Sequence, residues 1–143
     1  MRFVILLALA VLFLPAAYAA DPAGTVKTVR GGAQVRRGSD LLDAKDGMHL
    51  AARDTLLTAA DGSIGVILQD GTRLSLGPNS ELAIEEYIFD PGRGNLNLLL
   101  KMARGVLTYV SGKIAELSPG AARLETPVGI VGMRGTHFGV RLE

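Results

Sequence analysis

Ile64-Gly65-Val66-Ile67-Leu68-Gln69-Asp70-Gly71-Thr72-Arg73-Leu74-Ser75-Leu76 is the stretch whose pattern decides the fold class. The first half is a mostly apolar run that ends at Gln69, and the second half alternates polar and apolar residues. Alternation places every second side chain on one face, which is the geometry of a strand and not of a helix. Asp70-Gly71 between the two runs predicts a two-residue hairpin turn, because Asp and Gly tolerate the backbone angles such a turn demands.

Reading outward toward the N terminus, Thr25 to Arg30 is expected to be a strand, Gly31-Gly32 a tight turn and Ala33 to Arg36 its return, a second hairpin. A short Leu41-Leu42 segment, a turn at Asp46-Gly47 and a strand from Asp54 to Thr58 follow, ending at Asp61-Gly62-Ser63. Toward the C terminus, Gly77-Pro78-Asn79-Ser80 breaks the chain and Glu81 to Phe89 alternates again. Leu82, Ile84 and Glu86 are expected on one face of that run, with Ala83, Glu85 and Tyr87 on the other.

Asp90 to Gly94 reads as a loop, and Leu96, Leu98 and Leu100 are then in phase for a strand. Residues 96–110 are rich in helix formers, yet the leucine spacing and Gly105 favour two strands over one helix. Ser111-Gly112-Lys113 suits a turn or a single helical turn, and Ser118-Pro119-Gly120 a loop. Ala122 to Leu142 contains Pro127, Gly129, Gly132, Gly135 and Gly139, so it is read as strand, glycine-rich connection and strand. The sum is roughly eight to ten short strands, an all-β sandwich or β-roll.

The N terminus has a different character. Arg2 precedes an apolar run from Phe3 to Leu14, and Pro15 and a small-residue stretch with Ala17 and Ala19 follow. At about 12 residues the run is shorter than the roughly 20 a membrane-crossing helix needs, and Ala17-Tyr18-Ala19 fits a leader-peptidase site. Residues 1–19 are therefore expected to be a signal-peptide helix and residues 20–143 the exported domain, with no stable membrane anchor once the leader is removed; a retained N-terminal anchor is the other reading. Removing 19 of 143 residues leaves 124, carrying all 18 glycines, no cysteine, and 14 basic against 14 acidic side chains. An exported domain without disulfides must rely on a hydrophobic core and strand pairing.

Neutrality, absence of Trp and low aromatic content argue against a nucleic-acid partner. Of Ser39, Ser63, Ser75, Ser80, Ser111 and Ser118, none lies in a G-x-S-x-G elbow, and there is no thiol, so no enzyme activity is expected. His49 and His137 have no metal-ligand spacing, and Asp61, Asp70, Asn79, Glu81 and Asp90 do not form a calcium loop. No metal or cofactor is expected, and Asp61 and Asp70 are read as turn residues. Gly129, Gly132 and Gly135 lack the Gly-Lys-Ser/Thr of a phosphate loop. Gly132 and Gly135 are expected to allow a sharp or positive-φ reversal around Arg134, with Arg134 and Thr136 bonded to backbone carbonyls or to a buried carboxylate as a structural clamp.

The ordered set Asp54-x-x-x-Thr58, Asp61-Gly62-Ser63, Leu68-x-Asp70-Gly71-Thr72, Pro78-x-Ser80, Gly105, Val110-Ser111-Gly112 and Glu125-Thr126-Pro127 through Gly132-Met133-Arg134-Gly135-Thr136-His137-Phe138 resembles the FecR domain, across nearly the whole of residues 24–140. The resemblance implies a periplasmic all-β domain. In founding members of the family that domain relays the state of an outer-membrane iron-siderophore receptor to a sigma factor. Those regulators have a cytoplasmic segment and a membrane helix; with a leader in front, this chain is expected to act without reaching the cytoplasm. The family-motif residues Asp70, Gly71, Thr126, Pro127, Gly132, Arg134, Gly135, Thr136 and Phe138 are expected to be structural. An envelope protein of unspecified identity is the expected partner, bound at a surface or sheet edge. The alternatives are a structural domain bound to peptidoglycan or an outer-membrane component, and a small-ligand sensor.

Overall fold

The structure, a computed structural model, describes residues 22–134 and 137–143. The expected signal-peptide helix lies outside the described residues. At the centre is the expected hairpin, made by β6 (Ser63–Leu68) and β7 (Arg73–Leu76), which pair antiparallel with Ile64 opposite Leu76 and Val66 opposite Leu74. Its loop has three residues, not two: Gly71 N–H bonds to Leu68 O at 3.0 Å and Leu68 N–H to Thr72 O at 2.8 Å, so Gln69, Asp70 and Gly71 form the connection. Gly71 at φ 87° closes it, as in three-residue hairpins that end in a left-handed residue.

Among the described residues twelve strands form, more than the eight to ten read from the pattern. Before the hairpin come β1 (Pro22–Arg30), β2 (Ala33–Arg37), β3 (Asp40–Asp43), β4 (His49–Ala51) and β5 (Thr55–Thr58). After it come β8 (Glu81–Asp90), β9 (Asn95–Val110), β10 (Ala122–Thr126), β11 (Gly129–Gly132) and β12 (His137–Leu142). A five-residue helix, α1 (Lys113–Leu117), separates β9 from β10. The additional strands are short segments such as β3, β4 and β11, which hold as strands only because a longer neighbour supplies the ladder.

The strands form two sheets that share β9. One runs β3-β2-β5-β8-β9-β10-β11 and the other β4-β1-β6-β7-β9-β12. The first half of β9 pairs with β8 and β10, and its second half with β7 and β12. The two strands expected at 95–110 are therefore one 16-residue strand that changes sheet near Gly105. Gly105 has φ 100°, and a Cβ there would collide with Ser80. The bend is stabilised by polar groups: Val106 N–H bonds to Ser80 Oγ at 2.9 Å, Ser80 N–H to Thr58 Oγ1 at 2.9 Å, and Thr58 Oγ1 to Gly77 O at 2.7 Å.

Two further expectations are corrected. β1 and β2 do not form a hairpin; β1 pairs with β4 and β6, and β2 with β3 and β5. Gly31-Gly32 is instead a corner between the two sheets, held by Gly32 N–H on Asp61 Oδ1 at 3.2 Å. In β8 the alternation predicted for Glu86 and Tyr87 is reversed. A register shift between Ile84 and Glu86 leaves Glu85 and Glu86 both exposed and turns Tyr87 inward with Leu82 and Ile84. An extra residue in one strand changes the phase of all that follows.

The core lies between the sheets. Val26, Ile64, Val66, Leu74 and Leu107 from one face Val35, Leu56, Leu82, Ile84, Leu100 and Leu124 from the other in a single buried cluster. Removing one such leucine to alanine costs about 2–5 kcal/mol. The described residues contain no helix long and apolar enough to cross a membrane.

Candidate functional site

Asp70 is, with Ser80, one of the two most densely bonded polar residues among those described. Its side chain is almost fully buried and accepts from Thr72 N–H at 3.2 Å, Thr72 Oγ1 at 2.7 Å, Tyr87 Oη at 2.9 Å and Ile114 N–H at 3.0 Å. Asp70 O also accepts Lys113 N–H at 2.9 Å, so the β6–β7 loop anchors the start of α1. Gly112 permits this approach, because a Cβ there would press on Thr72 N and Asp70 O. The tyrosines around this corner respond to it. Burial, then the Asp70 charge, raises the Tyr87 hydroxyl pKa, and the same two causes push Tyr109 up to about 12. Among the described residues Tyr109 Oη lies within hydrogen-bond distance and angle of no partner, while its ring packs on Phe138 with centroids 4.9 Å apart. The four donors on the Asp70 carboxylate all come from the protein itself.

A second polar post was missed from sequence. Asp54, also buried, accepts Arg37 Nε at 2.9 Å, Arg37 Nη2 at 2.7 Å and Ala51 N–H at 2.8 Å, and Arg37 Nη2 also reaches His49 O at 3.1 Å. This fork ties β2 of one sheet to β4 of the other. The hydrogen bond to Asp54 raises the Arg37 pKa further above its already high value, against a smaller opposing effect of burial. The arginine clamp expected at Arg134 is thus found at Arg37. Arg134 itself is exposed and, among the described residues, joins no ion pair. It lines a cleft of about 570 Å³ with Val110, Ser111, Gly112, Ala115, Glu116 and Pro119.

The remaining motif residues lie on the β10–β11 hairpin or beside it. Thr126 pairs with Gly129 across a two-residue turn of Pro127 and Val128; Thr126 Oγ1 bonds to Gly129 O at 3.0 Å and accepts Val128 N–H at 3.3 Å. Gly132 has no positive φ and is an exposed strand residue, whereas Gly129 has φ 148°. Gly135 and Thr136 lie outside the described residues. His49 on β4 and His137 on β12 occupy opposite edges of one sheet, with four strands between them. Among the described residues no cluster of three or more His, Asp or Glu could hold a metal ion.

The two sheets end in four edge strands, and three of them are guarded. β3 carries Asp40 and Asp43 at its ends, β4 is only three residues long, and β12 turns Phe138, Val140 and Leu142 onto the core while Arg141 faces solvent. Such charges, shortness and inward packing keep an edge from recruiting another strand. β11 is also short, at four residues, but it carries no charge and does not pack inward. Among the described residues it pairs only with β10, all four of its residues are exposed, and the hairpin presents Val128 at 89%, Ile130 at 68% and Val131 at 43% of full exposure. Pattern reading did not single out Val128, Ile130 and Val131, because they fall in the stretch read as a glycine-rich connection.

The FecR family profile, described as FecR protein, matches residues 54–143. The chain belongs to the FecR family. The match begins at Asp54, the buried acceptor of the Arg37 fork, and runs through the Asp70 corner and the β10–β11 hairpin. Strands β1 to β4 precede it but share the sheets of the FecR domain, with β1 between β6 and β4 and β2 between β3 and β5. No curated protein and no solved structure matches the chain. Membership of the FecR family points to a role in cell-envelope signalling.

Proposed function

We propose that this chain is an exported, non-catalytic protein-interaction domain of cell-envelope signalling, acting in the periplasm, and that it recognises another polypeptide by accepting a strand along β11. The observation that carries this reading is the contrast among the four edges: three are guarded, and β11 presents open backbone groups beside exposed Val128, Ile130 and Val131. Strand addition takes its affinity from main-chain hydrogen bonds and its specificity from alternate side chains. The buried polar groups Asp54, Thr58, Asp70 and Ser80 are already engaged within the fold, which supports a scaffold role for them and leaves the hairpin as the working surface. The leader-like residues 1–19 support export.

The test is to express the full chain from its own N terminus, fractionate the cells, and cross-link the intact envelope. Recovery in the periplasm, with a specific envelope protein captured by the native chain and lost with Ile130→Lys, is the expected outcome. Retention on the sacculus alone would instead favour a structural, peptidoglycan-bound domain, and a cytoplasmic location would overturn the proposal.

A further inference from the structure

We infer that the outer face of the sheet β4-β1-β6-β7-β9-β12 is a docking surface for an anionic phospholipid layer, on which the domain lies flat with lipid phosphates held by Lys27, Arg30, Arg73 and Arg141. The inference goes beyond the strand-accepting edge of β11, which is the border strand of the other sheet, and does not depend on it.

Charge is divided unevenly between the two sheets. β4, β1, β6, β7, β12 and the Val106 to Val110 half of β9 carry Lys27, Arg30, Arg73 and Arg141, with His49 and His137, and not one aspartate or glutamate. The other sheet mixes acids among its cations, with Asp43 in β3, Glu81, Glu85 and Glu86 in β8 and Glu125 in β10. A chain with a net charge of only +1 thus concentrates positive charge on one sheet. Lys27, Arg30, Arg73 and Arg141 are all exposed, and among the described residues none joins an ion pair, whereas Arg36, Arg37 and Arg123 of the other sheet all do. The carboxylates of Asp46, Asp61 and Glu143, which adjoin these strands in sequence, lie outside them.

Strand register shows how these cations are spread. Residues directly opposite each other share a face, so Thr28, Gly65, Ser75, Thr108 and Gly139 form one row from β1 to β12. On one side of it run Thr25, Ile67, Arg73 and Val110, with His49 and His137 at the ends. On the other, Arg30 lies opposite Ser63 and Arg141 opposite Val106. Arg30 and Arg141 are therefore four strand spacings apart, about 19 Å, and Arg73 lies between them across the row. Lys27 is the extra residue where the register of β1 shifts, exposed beside Thr28. The middle row bears only hydroxyl, methyl and glycine surface. It includes a depression of about 190 Å³ with Thr28, Arg30, Ser63, Gly65 and Ser75 in its walls, where a Cβ at Gly65 would come within 2.6 Å of Thr28 Oγ1.

This spread selects the ligand. Cations that converge on one point hold one anion, but no two of these are cross-strand partners, and together they suit a flat array of anions. A sugar chain or a nucleic acid calls for aromatic platforms, and the aromatic rings of this sheet, Tyr109 and Phe138, turn to the core. An anionic bilayer surface supplies phosphates at every position, and arginine binds phosphate through its planar fork. Threonine and serine hydroxyls between the cations can donate to the same oxygens.

The test is flotation of the purified full chain, expressed from its own N terminus, with vesicles of phosphatidylcholine alone and with vesicles that also contain phosphatidylglycerol. The native chain is expected to float only with the anionic vesicles and to be released by high salt, which screens exposed charges. Arg30→Gln, Arg73→Gln and Arg141→Gln are each expected to weaken binding about fivefold, and the triple variant to abolish it. Lys101→Gln and Arg104→Gln remove the same charge from the other sheet and are expected to leave binding unchanged. All these side chains are exposed, and a thermal melt of each variant confirms folding. Equal flotation with both vesicle types overturns the inference, as does loss of binding with Lys101→Gln or Arg104→Gln to the same extent as with Arg73→Gln. Binding to soluble polyphosphate with none to anionic vesicles would assign the face to a linear polyanion and also overturn it. Flotation by Ile130→Lys as by the native chain would show that the two surfaces act separately.

Discussion

The Asp70 corner and the β10–β11 hairpin are both built from family-motif residues, and they treat their polar and apolar groups in opposite ways. At the corner a buried carboxylate is saturated by four donors from three parts of the chain, Thr72, Tyr87 and Ile114. At the hairpin, Val128, Ile130 and Val131 are left in water and an edge is left without a partner. A half-satisfied buried network would be costly, so the corner is complete within the monomer. An exposed apolar edge is a liability, one that the proposed strand partner would relieve. The difference separates residues that make the fold from residues that are available for use.

Substitutions should reveal this difference, with the largest stability losses at the corner. Asp70→Ala leaves the Ile114 amide, Thr72 and the Tyr87 hydroxyl without their acceptor, and urea unfolding is expected to show a loss of about 3–4 kcal/mol. Arg37→Ala leaves the Asp54 carboxylate with the Ala51 amide alone. Because the guanidinium is 43% exposed, water replaces part of what is lost, and the expected cost is about 2 kcal/mol by the same measurement.

The two tyrosines sharpen the comparison within the corner itself. Tyr87→Phe removes a donor from Asp70 and an acceptor from Asp70 N–H, at an expected cost of about 1–2 kcal/mol. Tyr109→Phe removes a buried hydroxyl that has no hydrogen-bond partner among the described residues and is expected to leave the melting temperature unchanged or slightly raised. It should also change the alkaline limb. The Tyr109 hydroxyl ionises near 12 in the folded chain against 10.0 unfolded, so the folded state holds this proton more tightly. Its contribution is intact below about pH 10 and lost as pH rises toward 12, where the unfolded chain alone releases the proton. Stability measured across pH 9–12 is expected to fall for the native protein and to fall less steeply for Tyr109→Phe. The smallest effect on stability is expected at the hairpin: Ile130→Lys should stay within about 0.5 kcal/mol of the native protein, yet abolish capture of a partner.

Much of the fold was legible because its signals are local. The β6–β7 hairpin and β5 follow from alternation and turn residues near one another in the chain. What was not legible depends on distant residues. The inward turn of Tyr87 follows from a bulge whose cause is the register between β8 and β9. The separation of β1 from β2 depends on which sheet each strand joins, and Gly31-Gly32 serves a corner between sheets as readily as a hairpin. The Arg37–Asp54 fork spans 17 positions with no pattern in between. At the hairpin, composition misleads: Arg134 stands alone among apolar and glycine residues, which suggested a buried charge with a partner, whereas Arg134 is itself exposed at the mouth of a cleft. Hydrophobicity in a sequence reports what a residue avoids, and an edge kept for another chain looks the same as a strand already covered by its own.

The central claim, that β11 is the working surface and the polar corners are scaffold, is tested most directly by photo-cross-linking in living cells from single positions of the full chain. A cross-linking side chain at Val128 or Ile130 samples the open edge, and one at Leu41 or Ile88 samples equally apolar exposed positions elsewhere. Adducts to another polypeptide should form at 128 and 130 and be absent at 41 and 88. Adducts concentrated at 41 or 88, or none at 128 and 130 in a folded, exported protein, would contradict the claim.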